Sequence, residues 1–159
     1  MNYLYQIGYF GPITLLILIL VTISTTNQSH NIYLYIYVIL WQLLNHFSNI
    51  VIKNTLKHPR PDSYENKDFK LLKPTMYNYF SIHSNFGMPS GHAQQVFSEL
   101  TFITLYFKNP IITTIAMIQS CITLWQRYSS YRHSKKQLVV GSLIGIISGG
   151  LFLYTTIKV

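Results

Sequence analysis

The sequence predicts an all-α protein, a polytopic membrane helix bundle with about five transmembrane helices and a long loop between the second and third. Composition is the first reason: of 159 residues, 49% are hydrophobic and 10% are charged, whereas soluble domains carry about 25% charged residues. The second reason is that five segments are apolar over nearly the length a membrane-spanning helix needs, about 20 residues. A chain of this length suits one domain, which we expect to occupy residues 1–159.

The five segments differ in how many polar side chains they carry. They comprise residues 9–24, 33–52, 92–107, 110–126 and 138–157. The first and fifth are almost wholly apolar, and because the first has no basic leader and no A-x-A-like cleavage site, we expect a retained helix. The second contains several amides and the third contains Glu99. Polar groups inside a span normally face the bundle interior, so we expect the second and third helices to be central.

The distribution of basic residues predicts one functional side of the membrane. If all five segments cross the bilayer, the loop at 53–91 and the connection at 128–137 lie on the same side. Ten of the twelve Lys and Arg residues fall in or beside these two connections. The positive-inside rule would make this side cytoplasmic. The net charge of +8 suits a phosphate-rich surface, and because no zinc-finger spacing or separate basic helix is present, we expect no nucleic-acid partner.

Three short clusters on that side contain residue types that bind and cleave phosphate esters. They are Lys53 with Arg60 in the pattern K-x6-R-P, Pro89-Ser90-Gly91-His92, and Arg127 with His133 in the pattern R-x5-H. Three cations suit a tetrahedral phosphate, since Arg offers forked donors and Lys a point charge. The start of a helix after Ser90 favours an anion. Two imidazoles supply a nucleophile and a proton donor, and because no acidic cluster has metal-ligand spacing, this chemistry requires no metal or other cofactor.

In order and spacing, the clusters resemble the signature of the type 2 phosphatidic acid phosphatase superfamily, the lipid phosphate phosphatases: K-x6-R-P, P-S-G-H and S-R-x5-H-x3-D. The resemblance covers about residues 53–145. It implies a metal-independent lipid phosphatase in which His133 is the nucleophile, forming a phosphohistidine, and His92 is the general acid. It further implies that five residues hold the phosphoryl group: Lys53, Arg60, Ser90, Gly91 and Arg127.

Two positions depart from this pattern: Gln126 stands where Ser is common, and Gln137 stands where Asp is usual. In the family that Asp accepts a hydrogen bond from the nucleophilic His. Gln137 lies four residues after His133, so on a helix the two would share a face, and the amide oxygen could orient the ring. A neutral amide stabilises an imidazolium less well than a carboxylate does, which favours weaker activity.

The presence of Gln at position 137 resembles the pattern of the dolichyl diphosphatase branch of the family. The stretches Y-R-H-S at 131–134 and F-G-M-P-S-G-H-A-Q at 86–94 also resemble that branch. The resemblance implies that the preferred substrate is a polyisoprenyl diphosphate. It also implies an endoplasmic reticulum membrane protein with a lumenal site, in conflict with the side that the basic residues predict.

Several residues allow more than one interpretation. Glu99 lies two helical turns beyond His92 and either tunes it, replaces the missing carboxylate charge, or hydrogen-bonds to the polar face of the second helix. Gly145, Gly149 and Gly150 predict a helix-packing face. The remaining basic residues of the two loops are interpreted as membrane-flanking charges: Lys57, Lys67, Lys70, Lys73, Arg132, Lys135 and Lys136.

Three functions stay open. The first is a lipid phosphatase whose partners are its lipid phosphate or diphosphate substrate and the surrounding membrane lipids. The second is a catalytically weak or silent relative that binds lipid phosphates, for which Gln137→Asp should raise hydrolysis. The third is a purely structural membrane protein, which requires the three clusters to coincide by accident.

Overall fold

The computed structural model describes residues 3–26, 32–61 and 86–157. Within these ranges the chain forms six α-helices: α1 Tyr3–Tyr9, α2 Gly11–Thr25, α3 Ile32–Leu56, α4 Gly91–Phe102, α5 Pro110–Ser129 and α6 Lys135–Ile157. The only β pairing in the described part is an isolated bridge between Pro59 and Phe86. The predicted all-α fold is therefore confirmed. Lys67, Lys70 and Lys73 lie outside the described residues.

All five predicted segments are helical, but they differ in how well they suit a bilayer. Two described helices, α3 and α6, are long and apolar enough to cross a membrane. A third span exists if α1 and α2, which are bent by 68° relative to each other, count as one broken span. The segment at 92–107 forms α4 followed by a π-helical turn, Ile103–Phe107. Neither α4 nor α5 combines the length and the apolar composition needed to cross a membrane by itself.

The first predicted segment differs most from the structure, because a separate helix, α1, precedes it. The chain bends at Phe10, and α2 begins at Gly11 with Pro12 in its first turn. Proline lacks a backbone N–H and clashes with the preceding turn, so it suits a helix start and opposes one continuous helix through this point. The bend places Tyr9 at the corner between the two helices.

Helix α4 lies at the centre of the bundle and meets α3 through polar side chains, as predicted. The prediction that α3 is central too is wrong, because α3 exposes many of its large apolar side chains. The Gln42 amide donates to Glu99 Oε1 at 2.7 Å, and both side chains are buried. Further along, the amides of Asn45, Asn49 and Gln94 are joined by hydrogen bonds of about 2.8 Å. This geometry supports the third interpretation of Glu99, a hydrogen bond to the polar face of the second predicted helix.

Helix α4 also approaches the backbone of α6, whose glycines at this contact are spaced four residues apart. A Cβ added at Gly145 would lie 2.3 Å from the Gln94 carbonyl oxygen, and one at Gly149 would lie 2.4 Å from Ser98 O. Gly141 belongs to the same face. Small residues let helix backbones come this close. The predicted packing role is thus confirmed for Gly145 and Gly149, but it is wrong for Gly150, whose Cβ would meet nothing within 4 Å.

These two kinds of glycine make a matched pair of substitutions. We expect Gly145→Ala to lower the free energy of unfolding by about 1–3 kcal/mol, because the added methyl would force two backbones apart. Gly150→Ala should leave stability unchanged or raise it by up to about 1 kcal/mol, through helix propensity alone. Thermal unfolding in detergent measures both variants. Equal melting temperatures for the two variants would contradict the close approach.

Candidate active site

The three sequence clusters meet at one end of the bundle. Lys53 lies in the last turn of α3 and Arg127 in the last turn of α5, whereas Ser90 caps the start of α4. The segment after α3 is held against the residues that precede α4, because Gly87 N donates to His58 O at 2.8 Å. The start of α4 is joined to α6 through Ser90 N and Gln137 O, which are 3.1 Å apart.

His133 is buried in the turn between α5 and α6, with 5% of its surface exposed. Its Nδ1 lies 2.9 Å from the carbonyl oxygen of Gly87. A backbone carbonyl only accepts hydrogen bonds, so Nδ1 carries the proton and donates. The neutral imidazole therefore presents an unprotonated Nε2, which is the form that a nucleophile needs.

His133 also lies among positive charges. Burial lowers the pKa of its imidazole well below its usual range, and the nearby charges of Arg60, Arg127 and Lys53 lower the pKa further, while the hydrogen bond to Gly87 opposes these effects. A low pKa keeps the ring neutral and nucleophilic at physiological pH. The same three cations are suited to hold an anionic phosphoryl group beside it.

His92, in the first turn of α4, lies against Arg127. The Arg127 guanidinium donates from Nη2 to His92 Nε2, and the Arg127 side chain is only 2% exposed. The positive charges of Arg127, Arg132 and Lys53 all act on the His92 ring. Both predicted catalytic histidines and all three predicted cations thus lie in one cluster on the same end of the bundle.

The loop before α4 has the features of an anion site. The Ser90 side chain accepts from Ala93 N at 3.4 Å and caps the helix. The free N–H groups at such a helix start are suited to an anion. The Asn49 amide donates to Pro89 O at 3.4 Å. A Cβ added at Gly91 would lie 3.0 Å from Asn49 Oδ1, so Gly91 packs closely against the Asn49 side chain.

Gln137 is placed differently from the expectation. Since α6 begins at Lys135, His133 precedes the helix, and the two side chains do not share a helical face. Instead, Ser134 and Gln137 cap α6 reciprocally: Gln137 N donates to Ser134 Oγ at 3.3 Å, and Ser134 N donates to Gln137 Oε1 at 3.1 Å. The Gln137 amide then donates to Pro59 O at 2.7 Å. Gln137 therefore holds the segment of Pro59 and Arg60, here called the Arg60 segment, near His133 rather than orienting the imidazole ring of His133.

Sequence reasoning missed two contributors to the cluster. Gly87 supplies the carbonyl for His133, and its Cα packs so tightly on Gln137 that a Cβ would lie 2.5 Å from the amide nitrogen. Tyr9 lies with its ring centroid 5.0 Å from Arg127 Cζ. The Gly87 signal was present in the F-G-M-P-S-G-H stretch, whereas nothing in the sequence around Tyr9 marked it.

Comparison with known proteins agrees with this cluster. The model of the PAP2 superfamily matches residues 31–158. The chain is 27% identical over 128 residues to a dolichyldiphosphatase of Saccharomyces cerevisiae (strain ATCC 204508 / S288c), covering 74% of this chain and 49% of that protein. It is 28% identical over 123 residues to dolichyldiphosphatase 1 of Dictyostelium discoideum, covering 70% of this chain and 48% of that protein.

The chain thus spans about half the length of the relatives that it matches. No solved structure matches it significantly. The family model, in contrast, covers most of the chain, from before α3 to α6, and includes every cluster that the sequence singled out. The chain therefore belongs to the PAP2 superfamily.

Proposed function

We propose that this protein is a membrane lipid phosphatase that works through a phosphohistidine on His133. The observation that carries the proposal is the placement of His133. Its Nδ1 donates to the Gly87 carbonyl, and Lys53, Arg60 and Arg127 lie close enough for their charges to act on the ring. A neutral nucleophile surrounded by three cations is suited to attack an anionic phosphoryl group.

The chemistry has two steps. In the first, His133 Nε2 attacks the terminal phosphorus, the bond from phosphorus to the leaving oxygen breaks, and His92 gives that oxygen a proton. In the second, His92 takes a proton from a water molecule, which attacks the phosphohistidine and releases inorganic phosphate. A bound phosphate accepts hydrogen bonds from the Arg127 guanidinium, and its negative charge favours the protonated form of His92 that the first step needs.

The substrate class that we propose is a polyisoprenyl diphosphate. The two relatives are named as dolichyldiphosphatases, and the stretches at 86–94 and 131–134 resemble that branch. A diphosphate is cleaved at its terminal phosphorus, so the leaving group is the lipid monophosphate. We also propose that the protein resides in the endoplasmic reticulum membrane, which co-fractionation with marker proteins of that membrane tests.

A panel of lipids tests the proposed reaction. In detergent micelles containing EDTA, we expect the purified protein to release phosphate from dolichyl or undecaprenyl diphosphate faster than from phosphatidate or diacylglycerol pyrophosphate. Release should continue in the presence of EDTA because three fixed cations, rather than a metal ion, neutralise the transferred group. Absence of release from every lipid would refute the proposal, and release that EDTA abolishes would refute its metal-independent mechanism.

A second candidate is a silent relative that binds lipid phosphates without cleaving them. Gln126 and Gln137, which depart from the family pattern, motivate it. The described contacts favour the enzyme, because Gln137 has a structural role of its own and the proton of His133 Nδ1 is accepted by Gly87 O instead of a carboxylate. Headgroup binding with no turnover in the same panel would favour the silent relative.

A further inference from the structure

Helices α1 and α2 precede the segment that the family model matches, which begins at residue 31. They nevertheless reach the cluster of catalytic candidates. Tyr9, at the end of α1, lies with its ring centroid 5.0 Å from Arg127 Cζ. The same ring has its centroid 5.9 Å from that of His92, at an interplanar angle of 45°. One aromatic side chain therefore contacts both a proposed phosphate ligand and the proposed general acid.

The position of Tyr9 is fixed by the residues on either side of it. A Cβ added at Gly8 would lie 2.6 Å from Gln126 Cβ, and one added at Gly11 would lie 1.9 Å from Thr123 Oγ1. The chain on both sides of Tyr9 is thus pressed against α5 close to Arg127. The Gln119 amide adds a hydrogen bond of 2.9 Å to the carbonyl of Ile7. Backbone contact on both sides leaves the Tyr9 ring little freedom to move away from the guanidinium.

An aromatic face suits an Arg that must bind phosphate. An aromatic face attracts a guanidinium through its charge, whereas a phosphate binds the guanidinium through its N–H donors. The contact with Tyr9 can therefore restrain the group while N–H donors remain available for a phosphate. The ring also covers the Arg127–His92 pair with apolar surface, which strengthens the electrostatic interactions inside the cluster.

We propose that Tyr9 is a positioning residue that holds the Arg127 guanidinium and, by direct ring contact, the His92 ring in the geometry required for phosphoryl transfer. This inference rests on the proposed function for its kinetic consequences. It assigns to the N-terminal helix pair a part in building the phosphate site, in addition to its contribution to the membrane bundle.

Three variants test the proposal. Tyr9→Leu removes the aromatic face and Tyr9→Phe retains it. Tyr5→Leu is the matched control, because Tyr5 lies in the same short helix and also packs on α5, through an edge contact with Trp125 at 6.4 Å. The readouts are kcat and KM for the lipid diphosphate, and the affinity for orthovanadate, a phosphate analogue that adopts the five-coordinate geometry of phosphoryl transfer.

We expect Tyr9→Leu to lower kcat and weaken orthovanadate binding, each by about 5- to 30-fold, the range that the loss of a cation–π contact implies. KM should change much less, because the contact serves the transition state. Tyr9→Phe and Tyr5→Leu should both stay within about 3-fold of the wild type, since the aromatic face of Phe gives a similar attraction.

The proposal is overturned if Tyr9→Leu matches the wild type, if Tyr9→Phe loses as much as Tyr9→Leu, or if Tyr5→Leu loses equally. Failure of the proposed function gives a different pattern. A wild-type protein that binds orthovanadate but cleaves no lipid would refute the phosphatase assignment, and the orthovanadate affinities of the variants would still decide the role of Tyr9. A wild-type protein that binds no orthovanadate and cleaves no lipid would overturn both.

Discussion

The purified His133→Ala variant should release phosphate from the lipid diphosphate at least about 10⁴-fold more slowly than the wild type, because loss of a nucleophile removes the covalent route. The effect should appear in kcat, since the cations that bind the substrate remain. Loss of His92 should cost less, roughly 10²- to 10⁴-fold, as expected for a general acid. Continuous measurement of phosphate release gives both values.

Detection of the covalent intermediate distinguishes a nucleophile from a residue that only binds the substrate. With substrate labelled at the terminal phosphorus, rapid quenching of the wild type should leave label on the protein that is stable to alkali and released by acid, and His133→Ala should carry none. His46→Ala is the matched control, because this His is exposed on α3 and should behave as the wild type. Label on His133→Ala, or normal turnover by it, would refute the assignment.

The spacing of the Lys, Arg and His residues predicted which of them form the cluster, because short motifs at helix ends fix local geometry. Given helices ending near Lys53 and Arg127 and a helix starting near Ser90, alternation of direction already brings the three clusters to one side. The partner of His133 could not be predicted in the same way. A backbone carbonyl has no signature in the residue type, so the sequence pointed to the side chain of Gln137 and not to Gly87 O.

Contacts between helices that are distant in the chain could not be predicted from the sequence for a related reason. Tyr9 reaches Arg127 only because the chain bends at Phe10 and because Gly8 and Gly11 allow α1 and α2 to lie against α5. Apolar composition predicts that a helix is buried, but not which neighbour it meets. The wrong prediction for Gly150 has the same cause. The sequence does not show which side of α6 faces α4, and that side decides which glycines lie in the contact.

Gln137→Asp should lower hydrolysis by about 10-fold or more, opposite to the rise that the silent-relative hypothesis predicts. A carboxylate cannot donate to Pro59 O, which accepts from the Gln137 amide at 2.7 Å. The loss of such a partner costs about 1–3 kcal/mol, and the charge would be buried at a position that is 1% exposed. The shorter side chain also breaks the reciprocal cap with Ser134. Phosphate release and melting temperature measure the two consequences.

Two further variants separate these causes. Gln137→Met keeps the length and neutrality of the side chain but removes its donor and acceptor, so it should lose stability and activity without a charge effect. Lys136→Gln, an exposed change in the same turn, should be nearly neutral. If Gln137→Asp instead raised hydrolysis from a very low level, the carboxylate would have to reach His133 by displacing Gly87 O from Nδ1. The Arg60 segment would then be held by something other than residue 137, and the native Gln would mark a binding protein rather than an enzyme.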